Sequence, residues 1–111
     1  ADFEPEKIPG KIKKDGGGRQ ITLNQTIDIL KWCGGHKESQ VVVGFALETD
    51  HLEDRTRAKM VEKKCDFMVG NLISNIGSDM GECIVFGKDS KIGILGSKSD
   101  LALRIWDFIA A

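Results

Sequence analysis

Asp2 with Lys11, Lys13 and Lys14 a short way downstream, Phe45 within Phe45-Ala46-Leu47-Glu48-Thr49, and the pair Lys59 and Lys63 are the residues whose types and spacing could do chemistry. A lysine ammonium is a compact point charge suited to phosphate oxygens, and two of them spaced i to i+4 on a helix complement a polyphosphate. An aromatic ring at the end of a strand stacks on a base. Each group also has a plain structural use. Lysines guard an edge strand against aggregation. A phenylalanine fills a core. Two lysines near the end of a helix match its dipole from a solvated face, and composition alone favours that reading for Lys59 and Lys63. Taken singly, the three groups stay undecided.

Other reactive types carry less. His36 and His51 stand in polar, loop-like contexts without the partners a metal site wants. Cys33, Cys65 and Cys83 are odd in number and widely spaced, with no Cys-x-x-Cys pair, so reduced, buried thiols are expected rather than disulfides or zinc ligands. The glycine triplet Gly16-Gly17-Gly18 is followed by neither Gly-Lys-Ser/Thr nor a helix, which makes it a turn and not a phosphate loop.

The elements that must position these residues follow from pattern. Val41-Val42-Val43-Gly44-Phe45-Ala46-Leu47, a charged helical segment over 52–64, and Phe67-Met68-Val69 read as one βαβ unit spanning residues 40–74. Apolar runs without alternation fit parallel strands buried on both faces, with ligands beyond their carboxyl ends, here at 45–49 and 71–74. In the helix, Glu53 and Asp54 come first and Lys59, Lys63 and Lys64 last, and Ala58, Val61 and Cys65 form the expected sheet-facing stripe. Upstream, Lys11-Ile12-Lys13-Lys14 and Arg19-Gln20-Ile21-Thr22-Leu23, joined by Asp15 and the glycine triplet, read as a β-hairpin. A short helix follows from Ile29 to Trp32 or Cys33, capped by Thr26 or Asp28 and stopped by Gly34-Gly35. Strands over 82–86 and 91–95 extend the sheet in antiparallel fashion. A last helix over 99–110, capped by Ser97 or Ser99, shows an apolar face of Leu101, Ile105, Phe108 and Ile109.

Length and charge set the outer bounds. At 111 residues the chain makes one small domain that buries about 65% of its unfolded surface. Its net charge of −1 argues against nucleic acid as a partner. No run suits a membrane span, and no signal-peptide pattern opens the sequence, so a soluble intracellular protein is the default expectation. The opening Ala1-Asp2-Phe3-Glu4-Pro5 lacks a start methionine and reads as the end of a strand running into a loop, as in a fragment.

In chain order, Ala1-Asp2-Phe3 with Pro5, Lys11-Ile12-Lys13-Lys14, Thr26-Ile27-Asp28-Ile29-Leu30, Val42-Val43-Gly44-Phe45-Ala46-Leu47-Glu48-Thr49, Lys59 with Lys63 followed by Asp66, Asn71-Leu72-Ile73-Ser74 and Gly77-Ser78-Asp79 stand at family-like spacing. In this pattern the chain resembles phosphopantothenate-cysteine ligase, also called phosphopantothenoylcysteine synthetase, the second activity of the bacterial bifunctional coenzyme A biosynthesis flavoprotein. The resemblance covers essentially the whole chain, and no single motif decides it. It implies an α/β fold: a partial, Rossmann-like three-layer domain whose mostly parallel sheet carries an added β-hairpin and an antiparallel C-terminal extension.

The resemblance also implies a reaction. With Mg²⁺, a nucleoside triphosphate, usually CTP with ATP the alternative, activates the carboxylate of 4′-phosphopantothenate as an acyl-nucleotidyl intermediate, and the amine of L-cysteine then displaces the nucleotide. Positions matching the family's nucleotide site are Asp2, Lys11, Ile27, Asp28, Ile29, Leu30, Phe45, Lys59 and Lys63. Lys11 corresponds to the active-site lysine, Asn71 is a further candidate, and no metal ligand is identified. A cytoplasmic homodimer with a fused or associated flavin-dependent decarboxylase is implied as well.

Departures temper the match. Ile27 stands where the family commonly has proline, and the loop over 71–78 is a few residues short. The family's first half has no counterpart, including its glycine-rich turn, first strands and an asparagine that handles the acyl intermediate. The chain is therefore expected to be the C-terminal half of the domain, without part of its sheet or its phosphopantothenate pocket. A noncatalytic nucleotide-binding or assembly module is the reading from another class.

Overall fold

The computed structural model describes residues 1–72, 77 and 79–111. Its centre is a four-stranded sheet in the order β3-β4-β5-β6, formed by Val43–Glu48, Phe67–Leu72, Met80–Phe86 and Lys91–Ser97. β3 and β4 are parallel, joined through helix α2 (Leu52–Glu62), so the βαβ unit expected over 40–74 is present. β5 runs antiparallel to both neighbours, which leaves three of the four strands pointing the same way. The antiparallel extension is also as expected. Residues 73–76 and 78, which hold much of the loop read as shortened, lie outside the described residues.

Helices cover both faces, making three layers. On one face Ala46, Met68 and Phe86 pack with Met60 and Cys65, and Leu30 and Val42 close the cluster. On the other, Val69, Cys83, Val85 and Ile94 meet Leu101, Ile105 and Phe108 of helix α3 (Lys98–Ala110). Ser97 caps α3, its Oγ accepting the Asp100 N–H at 3.1 Å. α3 sits over β5 and β6, so β3 is buried on one face and largely exposed on the other. Complete burial was the expectation from its unbroken apolar run; here alternation appears in the burial instead, with Gly44, Ala46 and Glu48 inside and Phe45 and Leu47 outside.

Three local readings change. The expected hairpin strands at 11–14 and 19–23 do not form; the paired strands are β1 (Phe3–Pro5) and β2 (Leu23–Gln25), with residues 6–22 as a long exposed connection. Lysines at alternate positions with few apolar neighbours have little to bury, and only the ends of the segment are pinned. This arm stands away from the sheet. It raises the radius of gyration to 18.5 Å, against about 13 Å for a compact chain of this size.

Of the stripe expected for α2, Cys65 is buried but Ala58 and Val61 are not. Thr56 and Met60 are buried instead, and Leu52 is half-buried. The third change is at Gly34-Gly35. Helix α1 runs through both glycines, from Ile29 to His36. Gly34 does not stop the helix. It lets α1 touch α2, because a Cβ there would lie 1.7 Å from the carbonyl oxygen of Lys63.

Asp66 locks the start of β4. Its Oδ2 accepts the Val42 N–H at 2.8 Å and its Oδ1 accepts from Lys37 Nζ at 3.0 Å. All three cysteines are free thiols, and burial raises the pKa of Cys65 and Cys83.

Candidate functional site

The N-terminus of α1 gathers residues from three distant segments. Asp28 is the N-cap, as the sequence suggested: Oδ1 accepts the Lys31 N–H at 3.0 Å. Its other oxygen, Oδ2, lies 3.1 Å from Lys63 Nζ, whose side chain is turned inward from the end of α2. Thr26 donates its N–H to the carbonyl oxygen of Asp2 at 2.8 Å and its hydroxyl to that of Ala1. The start of the chain, the loop at 26–28 and the end of α2 thus meet at one place. Ile27 and Ile29 project outward there, 79% and 73% exposed, whereas Leu30 points in and packs against Gly44, where a Cβ would meet its Cδ2 at 2.7 Å.

The remaining candidates divide. Lys59 is on α2, one turn before the cap residue Lys63, and reaches the end of β3, where its Nζ lies 2.5 Å from Glu48 Oε1. Both lysines are therefore paired with protein carboxylates, Lys59 with its side chain 40% exposed and Lys63 with 23%. Phe45 is on the opposite face of β3, 66% exposed. With Leu47, Asn71 and Trp106 it lines an open, mainly apolar cavity of about 620 Å³ under the edge of α3. Phe45 and Asn71 are thus brought together, and Asp2, Asp28 and Lys63 are brought together, on different sides of the sheet edge. Lys11 is exposed on the arm.

Charge at the cap is set by hydrogen bonding. The Lys31 N–H, and after it the Lys63 ammonium, hold the Asp28 carboxyl below its ordinary range. Asp66 is likewise lowered: burial pushes it up, but the Val42 N–H and Lys37 outweigh that. A carboxylate with a depressed folded pKa binds fewer protons than in the unfolded chain. Its stabilisation is present above the unfolded value of about 3.9 and is lost as pH falls through the folded one. The melting temperature is expected to drop from about pH 5 downward, and D28N/D66N to flatten much of that slope in scanning calorimetry; an unchanged slope in the double variant would refute the assignment.

Among the described residues, no group of three His, Cys, Asp or Glu side chains could hold a metal ion. Both oxygens of Asp28 are already engaged. Nor is any helix among them long and apolar enough to cross a membrane. Sequence reasoning passed over Glu48 and Thr56, both buried.

Over residues 1–111 the sequence matches the family described as DNA/pantothenate metabolism flavoprotein C-terminal domain. The chain belongs to that family. The chain is 37% identical, over its whole length, to the coenzyme A biosynthesis bifunctional protein CoaBC of Bacillus subtilis, of which it spans 29%. Among solved structures it resembles the C-terminal domain of a CoaBC protein, with a TM-score of 0.69 and 31% identity over 80% of this chain and 43% of that one. The DNA/pantothenate metabolism flavoprotein of Streptococcus pneumoniae shares the fold at a TM-score of 0.72 and 20% identity, over 90% of this chain and 45% of that one. The resemblance drawn from the motifs is borne out at the level of family and fold.

Proposed function

We propose that this flavoprotein C-terminal domain is the nucleotide-handling part of a phosphopantothenate-cysteine ligase in coenzyme A biosynthesis, cytoplasmic and homodimeric, using CTP in preference to ATP and working beside a flavin-dependent decarboxylase. The observation that carries the reading is the convergence at α1: Asp2, the loop through Asp28 and Lys63 meet although some sixty residues separate them in sequence. A helix N-terminus with oriented N–H groups and a lysine beside it suits a phosphate chain.

In this reading a carboxylate oxygen of 4′-phosphopantothenate attacks the α-phosphorus, the bond to the β-phosphate breaks, and pyrophosphate leaves. The amine of L-cysteine then attacks the acyl carbon, the nucleoside monophosphate leaves, and the nitrogen gives up its proton as the amide forms. Lys11, Lys59 and Lys63 stabilise charge that grows on the nonbridging and leaving oxygens. Phe45 offers a ring to the base from the middle of β3. Mg²⁺ would arrive on the triphosphate, since the described residues form no cage for it.

Calorimetric titration with CTP and with ATP, paired with a pyrophosphate-release assay, tests the proposal. Binding with release supports the ligase. Binding without release favours the noncatalytic module or a truncated enzyme, which the upstream coding sequence tells apart, and binding of neither nucleotide overturns both readings. Lys59→Ala and Lys63→Ala are each expected to raise the KM for nucleotide by about tenfold, with less effect on that for cysteine, as for loss of one charge-assisted hydrogen bond. Steady-state kinetics with each substrate varied in turn would expose a contrary pattern.

A further inference from the structure

Glu48 has no part in the chemistry above, yet its burial is hard to explain by folding alone. It ends β3 with 7% of its surface exposed. Its Oε1 is paired with Lys59 Nζ at 2.5 Å, and among the described residues no well-formed hydrogen bond reaches that atom. One turn before Lys59 on α2, the fully buried Thr56 has a hydroxyl with no hydrogen-bond partner either. Buried polar atoms in folded proteins are nearly always satisfied, so a buried carboxylate whose close partner is a single ammonium calls for a cause. Stability is a poor one, because an apolar pair of similar volume serves a core as well as a buried ion pair does. Lys59 itself extends outward, its side chain 40% exposed.

We infer that Glu48 is a positioning residue: its carboxylate holds the Lys59 ammonium at the carboxyl end of β3 and leaves the other N–H donors for a phosphate of the bound nucleotide. The inference rests on the nucleotide reading proposed above. A free lysine gives up the freedom of its long stem when it grips a phosphate, whereas one already held does not. Glu48 therefore contributes to affinity only through Lys59.

A double-mutant cycle separates this role from a structural one. CTP with Mg²⁺ is titrated calorimetrically into the wild-type chain, E48Q, K59M and E48Q/K59M, each checked for folding by circular dichroism. K59M is expected to weaken binding by about tenfold or more, and E48Q by about three- to tenfold. The double variant should bind no more weakly than K59M alone. Losses that multiply, or wild-type affinity in E48Q, overturn the positioning role while leaving the nucleotide site standing. Wild-type affinity in K59M, or a wild-type chain that binds no CTP, overturns the inference together with the reading beneath it. If E48Q fails to fold, Glu48→Asp, which keeps the charge but draws it back by one methylene, takes its place with the same outcomes.

Discussion

Lys11→Ala is expected to cut acyl-nucleotidyl formation by about a hundredfold or more while changing stability by no more than about 0.5 kcal/mol. The two halves of this expectation come from different links in the argument. Stability should hold because residue 11 lies on the exposed 6–22 segment, pinned only at its ends by β1 and β2, so the side chain has no packing to lose. Activity should fall because attack on the α-phosphorus builds charge on oxygens that a lysine stabilises more strongly in the transition state than in the ground state. Pyrophosphate release by the gene product carrying these residues, with 4′-phosphopantothenate and CTP saturating, measures the loss. Lys13→Ala and Lys14→Ala are the controls, each expected to cost much less. Normal release in the Lys11 variant would move the chemistry to another lysine.

How far the sequence could be read depended on where the deciding contact lay. β3 and β4 were legible because a run such as Val41-Val42-Val43 has few uses besides a sheet, and the charge order of α2 names its own direction. The partner at the α1 cap was less legible. Asp28 before a helix announces a cap, but nothing local says that Lys63, thirty-five residues on, would take its second oxygen. The face of α2 was misread because a threonine at the centre of the buried stripe, Leu52-Thr56-Met60, is outvoted by any apolar set nearby. Glu48 was missed for a similar reason, since a charge at a strand end is usually a sign that the strand is leaving the core. In each case a local rule gave the commoner outcome, and a long-range contact decided otherwise.

Gly34 and Gly35 make the same point quantitatively, because opposite effects are expected from one substitution at adjacent positions. Alanine is favoured over glycine inside a helix by about 0.5–1 kcal/mol. Gly35→Ala is expected to gain that amount, since a Cβ there has nothing within 4 Å. At Gly34 the same methyl would sit 1.7 Å from the Lys63 carbonyl oxygen and 2.9 Å from its carbon. These are backbone atoms at the end of α2 and cannot swing aside as a side-chain tip could, so α1 must lift away. Overpacking commonly costs about 1–3 kcal/mol, and a clash with a second helix's backbone belongs at or above the upper end. For a small domain that is a large share of its total stability. Lifting α1 also draws Asp28 from Lys63, now 3.1 Å apart, so CTP affinity should fall with stability in Gly34→Ala and stay unchanged in Gly35→Ala. Urea denaturation and nucleotide titration of the two variants measure both. Equal stability at the two positions would mean that α1 and α2 do not touch through Gly34, and the convergence at α1 would then lose its physical basis.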